Sequence, residues 1–383
     1  MLPPKIRQAL NRLIYRLPGK KYILFERYPP HSDNTDAVFE RMLAQGWNKR
    51  YKLGRVLWGE NDWDRINAKN VVDIHTRTRL QKIIKELITC RAAAIIDCNV
   101  SIEKMVPQTL HLFLCHGGPI KSVGSYYQCG ATTDYVLSQS PYFVEIIAEE
   151  YKLRPEQMVV LGYPRNDALF SDRVDIKGIF GPDYDKFVVW YPTYRQHRNR
   201  SINTTSISIP VIHDVENAQK INAAAAKYGV LLLVKPHPAQ DLEKIKKLQM
   251  SNVRFIDDNL FQENGVSSYE FLAKTDGLIT DYSSVFYDYM LTDKPIGLTL
   301  EDYDEYAQNP GFSIDIKSLA DAAEALDTPE DFETFFRHIA LGEDVCRAGR
   351  ERVKKLTNAY TDNHSTQRVV DFVEEKIGRG PFR

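Results

Sequence analysis

Short apolar runs rich in β-branched and aromatic residues recur along this 383-residue chain, each separated from the next by a stretch of helical length. From Tyr22 onward they read YILFE, LGRVLW, AAAIID, HLFLC, DYVL and VVLG. A second series begins at Phe187 with FVVWY and continues with VLLLVK from Val230, VRFI from Val253, GLIT from Gly277 and PIGLTL from Pro295. Strands that are apolar on both faces must be covered on both faces, so the expected fold class is α/β, with two doubly wound parallel sheets wrapped by helices. The weakly periodic stretch from Phe170 to Asp185, which contains GPDYD, is the expected linker. The reading divides the chain into a basic helix at 1–20, a first domain at 21–170, a second at 171–350, and C-terminal helices at 351–383 that pack back across the domains.

Charge and cysteine content narrow the class of partner. Fifty Lys and Arg against 51 Asp and Glu leave a formal charge of −1, so no bulk field draws in nucleic acid and a polyanion-coating role is not expected. The five cysteines, Cys90, Cys98, Cys115, Cys129 and Cys346, have no CxxC spacing and read as thiols of a reducing, cytosolic compartment. The start Met1-Leu-Pro-Pro has no apolar core of signal-peptide length and no window approaches about 18 apolar residues, so neither a cleaved leader nor a membrane-spanning helix is expected. The first 21 residues hold Lys5, Arg7, Arg12, Arg16, Lys20 and Lys21 with no acid, while Ile6, Leu10, Leu13, Ile14 and Leu17 recur at helical spacing. Such a helix either packs on its own domain or rests on an anionic leaflet.

In open α/β sheets ligands bind beyond the carboxyl ends of the strands, and the loops there are unusually polar. After HLFLC comes His116-Gly117-Gly118-Pro119-Ile120-Lys121, where glycines allow close backbone approach and an imidazole is suited to proton transfer near neutral pH. An isolated histidine of this kind more often ties a turn; the flanking glycines and Lys121 favour a general base. Lys235-Pro236-His237-Pro238 holds His237 in a stiff extended loop, with Lys235 and His237 placed to meet phosphate oxygens. Asp281-Tyr282-Ser283-Ser284 opens a helix in which Ser283 or Ser284 is expected to cap the first turn and help bind an anion. Asp288 lies inside that helix and faces either a nucleotide or a neighbouring helix. Arg165 and Arg195 follow proline-containing turns at strand ends and are expected to clamp a diphosphate, with Thr193 beside Arg195 and a basic patch at 197–200 on the same rim. Because HxxH, HExxH and paired-cysteine spacings are absent, neither a protein-bound metal nor another cofactor is expected.

The ordered series HGGPIKSVG, GYPRND, YPTYR, KPHP and TDYSSVFYDYMLTDKPI resembles the CDP-glycerol glycerophosphotransferase family, which builds teichoic acids and related capsules. KKYILFERYPPHSDNTDAVFERM looks like that family's opening strand and polar Ser-Asp-Asn loop, so the resemblance runs from about Lys20 to about Tyr306. It implies a GT-B-like architecture, two Rossmann-like domains whose parallel sheets face a central cleft. By the same resemblance His116 and His237 correspond to the family's two functional histidines. Arg195, Lys235, Thr193, Asp281, Ser283, Ser284 and Arg165 would then hold the CDP-alditol donor, and Gly117, Gly118, Lys121 and Asn34 would line the acceptor side. Gly118 stands where many relatives have Thr, and Cys115 where an aromatic is frequent, which bears on acceptor recognition.

The expected chemistry is attack of a hydroxyl, from a lipid-linked saccharide or growing polymer, on the β-phosphorus of a CDP-alditol such as CDP-glycerol. His116 takes the proton and CMP leaves, at the inner face of a bacterial cell membrane reached through the N-terminal helix. A GT-B glycosyltransferase or sugar-nucleotide epimerase is the nearest enzymatic alternative, and a noncatalytic membrane-associated scaffold is the alternative outside enzymes.

Overall fold

The computed structural model describes residues 3–28, 33–58, 66–122, 129–193, 209–236, 250–308 and 310–378. It divides into two compact units. The first comprises Met1–Gly117, Val123–Asp167 and Asp362–Arg383, the second Gly118–Ser122 and Ala168–Thr361.

In the first unit seven strands form one sheet: β1 (Tyr22–Arg27), β2 (Lys52–Leu57), β3 (Val71–His75), β4 (Ala92–Asp97), β5 (Leu110–Phe113), β6 (Tyr135–Ser138) and β7 (Met158–Val160). Their order is β3-β2-β1-β4-β5-β6-β7 and every neighbouring pair is parallel. Strand β4 is buried along its whole length, as a central strand covered on both faces must be. Edge strand β3 buries only Ile74 fully, and the apolar-run reading of the sequence passed over it for that reason. Leu24, Val56, Ile74, Ala92, Ile95 and Ile102 form a core cluster, onto which the helix Arg79–Thr89 lays Ile88. That helix starts at a Thr78–Gln81 capping box.

The second unit repeats the plan. Strands β8 (Lys186–Tyr191), β9 (Val230–Val234), β10 (Val253–Phe255), β11 (Gly277–Thr280), β12 (Ile296–Leu298) and β13 (Glu324–Ala325) lie in the order β10-β9-β8-β11-β12-β13, again all parallel. Trp190, Leu232 and Ile279 pack with Phe332, Phe335 and Ile339 of the helix Pro329–Leu341; the Trp190 and Phe332 ring centroids are 5.0 Å apart. Two-residue β13 is too short to register as an apolar run.

In both sheets the unit's first strand sits beside its fourth, so the winding reverses between β1 and β4 and between β8 and β11. The crevices outside the carboxyl ends at these reversals are where a doubly wound sheet binds ligands.

Two parts of the chain depart from the division read in the sequence. The segment Gly118–Ser122 belongs to the second unit, because Ser122 N donates to Gly311 O and Ser313 N and Ile314 N donate to Ile120 O. The C-terminal block is split: the helix Arg347–Thr357 stays in the second unit, whereas Ser365–Gly378 returns to the first. There Asp167 caps it, accepting from Ser365 N and Thr366 N at 2.9 Å each.

The N-terminal helix Pro4–Arg16 holds its unit through Asn11, whose Nδ2 donates to Met105 O at 3.2 Å, and through buried Tyr15. Its apolar stripe faces away: Ile6, Leu10, Leu13 and Leu17 are 43–62% exposed. Likewise Leu80, Ile83, Ile84 and Leu87 on the helix Arg79–Thr89 are 43–66% exposed. Among the described residues no helix is long and apolar enough to cross a membrane.

Candidate active site

Strand β5 ends in a turn that delivers His116. Leu114 N still donates to Asp97 O in the ladder direction, but Cys115 takes φ +54°, a left-handed conformation costly for a residue with a side chain. Such a turn persists only where its surroundings hold it, and three successive carbonyls are held here. Cys115 O accepts from Asn34 Nδ2 at 2.9 Å and from Cys98 Sγ at 2.8 Å. His116 O accepts from Arg165 Nη1 at 2.8 Å, and Gly117 O from Tyr163 Oη at 3.1 Å. The donors come from four places in the first unit: the helix after β1, the turn after β4, and two positions after β7. Asn34 ties two of these together, because its Oδ1 also accepts from Arg165 N at 3.0 Å. The His116 ring is half-buried, with Nδ1 on its buried edge.

Two residues expected to meet substrate make contacts within the first unit. Arg165, expected to clamp a diphosphate, lies in the first unit and spends Nη1 on the His116 carbonyl, with its guanidinium over the Tyr163 ring. Asn34, expected on the acceptor side, is 1% exposed and acts as a brace. Gly117 belongs with His116, whereas Gly118 and Lys121 fall in the second unit, where Lys121 pairs with Phe312 in an isolated antiparallel bridge.

Beneath the turn is a set of buried acids that motif reading missed. Glu26, at the end of β1, is fully buried; its Oε2 accepts from Cys98 N at 3.2 Å and Asn99 N at 3.1 Å. Asp97, at the end of β4, accepts on Oδ2 from Ile102 N at 2.7 Å and meets His111 Nε2 at 2.8 Å, both side chains being fully buried. Burial above all pushes the Glu26 carboxyl up to about 8; the Asn99, Cys98 and Tyr28 amides pull against this and the Asp97 charge adds to it. A signal was present in the sequence, since the runs YILFE and AAAIID both end on an acid at the strand's carboxyl end.

In the second unit Asp281 performs the corresponding bridging. It is fully buried after β11, and its two carboxylate oxygens accept from Thr193 N, after β8, at 3.1 and 3.0 Å. Asp281 therefore holds the two loops at the reversal of winding, with Thr193 half-exposed at the rim. Ser283 and Ser284 are also half-exposed. Ser284 occupies the N-cap position of Val285–Tyr289 but makes no side-chain capping bond, contrary to the expected cap. That helix has five residues, too few to place a strong macrodipole at its start. Asp288 faces a neighbouring helix: it is fully buried and accepts from Tyr269 Oη at 2.6 Å. Lys235, at the end of β9, pairs with Asp258 at 3.0 Å and lies over the Tyr191 ring. Arg195, His237 and the basic 197–200 segment lie outside the described residues. Among the described residues no group of three or more His, Cys, Asp or Glu side chains is placed to hold a metal ion.

Comparison with known proteins agrees with this architecture. The chain is 25% identical over 339 residues to a teichoic acid glycerol-phosphate transferase of Staphylococcus aureus, covering 80% of this chain and 81% of that one. It is 26% identical over 348 residues to a teichoic acid poly(glycerol phosphate) polymerase of Bacillus spizizenii, covering 82% and 83%. The solved wall teichoic acid polymerase TagF matches at a TM-score of 0.70 over 98% of this chain and 94% of that one, with 16% identity, which shows a shared GT-B-like fold. A family model for CDP-glycerol:poly(glycerophosphate) glycerophosphotransferases matches residues 9–375, running through both units. The chain therefore belongs to that family of enzymes.

Proposed function

We propose that this enzyme transfers an alditol phosphate, glycerol phosphate first, from its CDP ester to a hydroxyl of a lipid-linked saccharide or growing polymer. The observation that supports this reading most directly is the pinned turn at 115–117, which presents an imidazole with its backbone immobilised by four separate donors. In the proposed step the acceptor oxygen forms a bond to the β-phosphorus while the bond from that phosphorus to the bridging oxygen of CMP breaks. The acceptor proton passes to His116; with Nδ1 on the buried edge of the ring, Nε2 is the nitrogen assigned to receive it. Negative charge on the departing CMP is assigned to the second unit's Lys235, Thr193, Ser283 and Ser284, and by motif to Arg195 and His237. Asp281 keeps the Thr193 loop in place for that task.

The acceptor is lipid-linked in this reading, and the exposed apolar helices support a peripheral contact with the inner leaflet. Eight of the large apolar side chains that are exposed among the described residues lie on Pro4–Arg16, its flanking Leu17, and Arg79–Thr89, all in the first unit. At 100° per residue Ile6, Leu10, Leu13 and Leu17 form one stripe, opposite the Asn11 and Tyr15 side that holds the protein. Lys5, Arg7, Arg12 and Arg16 accompany the first stripe, and exposed Arg77, Arg79 and Lys82 the second. Aliphatic side chains among basic ones suit an anionic bilayer surface.

His116→Ala is expected to lower kcat for CMP release by roughly 10²–10⁴ while changing CDP-glycerol affinity by less than about threefold. Equal loss of nucleotide binding and turnover would remove His116 from the role of base. Asn34→Ala deletes two hydrogen bonds, one of them fully buried; urea unfolding should show a loss of about 1–3 kcal/mol, and kcat should fall about tenfold because the turn carrying His116 loosens. An unchanged kcat would show that the brace has no bearing on the imidazole. Sedimentation with phosphatidylglycerol-containing vesicles should be cut at least about fivefold by Leu10→Gln with Leu13→Gln, or by Ile83→Gln with Leu87→Gln, and weakened by salt. Binding that survives both pairs would rule out these helices as the contact.

A further inference from the structure

The buried carboxyl of Glu26 does not enter the proposed step, yet it stands two hydrogen bonds from the residue that precedes the base. Its Oε2 accepts from Cys98 N at 3.2 Å, and Cys98 Sγ donates to Cys115 O at 2.8 Å. Asn99, gripped by the same oxygen at 3.1 Å, also donates Nδ2 to Tyr28 O at 2.7 Å. The turn after β4 is thus fastened to β1 on one side and to the left-handed turn before His116 on the other. We propose that Glu26 is a positioning residue for His116, fixing the imidazole through the Cys98 turn and the Cys115 carbonyl, and that it does so as the neutral carboxylic acid.

Two observations support the neutral form. Glu26 is fully buried, and although the Tyr28 amide joins those of Cys98 and Asn99 in favouring the carboxylate, its second oxygen, Oε1, is buried with no partner at hydrogen-bond geometry, a position that an ionised oxygen occupies only at high cost. The charged group facing it from β4 is Asp97, whose own Oδ1 is buried without a partner and whose Oδ2 is shared by Ile102 N and His111 of β5. Among the described residues the arginines of the adjoining strands are engaged elsewhere, Arg27 on β1 with Asp36 at 3.5 Å and Arg55 on β2 with Asp73 at 2.7 Å, and His111 of β5 meets Asp97 rather than Glu26. A neutral carboxyl still offers its carbonyl oxygen to the two amides. Ionisation would set a second negative charge beside Asp97 and displace the turn on which Cys115 and His116 depend.

Burial as the main cause holds the Glu26 proton to about pH 8 in the folded chain, whereas an unfolded glutamate releases it near pH 4.3. Folding therefore takes up a proton between these values, and stability falls as pH rises through that window, by up to tenfold in the unfolding constant per pH unit. Glu26→Gln keeps the size and the carbonyl and cannot ionise.

The role in turnover rests on the proposed transferase activity; the protonation state does not, and the experiment reads them separately. The first arm is urea unfolding of wild type and Glu26→Gln between pH 5 and pH 9, with no substrate. The variant should gain relative stability as pH rises to about 8 and then level off; parallel curves would overturn the neutral assignment. The second arm is kcat for CMP release from CDP-glycerol against pH. The wild-type rate should rise as His116 loses its proton and fall above about pH 8, while Glu26→Gln should retain at least about a third of the rate at pH 7 and lose the alkaline fall. Glu26→Ala should lower kcat at least about tenfold with KM for CDP-glycerol within about threefold. An alkaline fall that persists in Glu26→Gln, or an undiminished kcat in Glu26→Ala, would overturn the positioning role. Absence of turnover by the wild type would instead count against the transferase reading and leave the first arm standing.

Discussion

Each unit depends on a carboxyl group sealed from solvent at the place where its sheet reverses its winding. At that reversal the loops after the first and fourth strands leave in different directions, which opens the crevice and removes the ladder hydrogen bonds that would hold them together. Glu26 restores the link in the first unit by taking the amides of Cys98 and Asn99. Asp281 restores it in the second by taking the amide of Thr193. Burying an acid is expensive unless hydrogen bonds return most of the lost hydration. In both cases the compensating donors are backbone amides of the very loop that must be kept in place, so paying the desolvation cost and positioning the loop are one interaction.

For the proposed step the consequence is clearest around His116. A histidine on a glycine-rich loop would ordinarily sample many orientations, and a base that must be aligned before each turnover loses the advantage of proximity. Here the carbonyls of residues 115, 116 and 117 are all occupied, one of them twice. Freedom remains in the ring and little in the backbone. The left-handed Cys115 shows that this arrangement is imposed by its surroundings, since the conformation is unfavourable on its own.

Much of the architecture was legible in the sequence because central parallel strands are apolar on both faces and cannot be mistaken for amphipathic elements. The same rule explains what was passed over. Strand β3 lies at an edge and is only partly buried, and β13 has two residues. Motifs marked polar loops at strand ends, but the contacts of side chains within them were hidden, because the sequence does not show that a guanidinium, as with Arg165, meets a carbonyl of its own fold. Asn34 braces residues 81 and 131 positions away, and pairing at such distance leaves no trace in local spacing. The transfer of Gly118–Ser122 to the second unit depends on hydrogen bonds to residues 311–314, which no periodicity encodes. The acids that close YILFE and AAAIID were visible but carry no motif.

The bond that breaks, between the β-phosphorus and the bridging oxygen of CMP, defines the reaction. Phosphorus NMR of the enzyme with CDP-glycerol and a lipid-linked saccharide acceptor follows each phosphorus atom directly. The expected result is paired loss of the two diphosphate resonances with equal gain of a CMP monoester and a new phosphodiester. Release of CDP, or a diphosphate signal that persists with every acceptor while the protein remains folded, would contradict it.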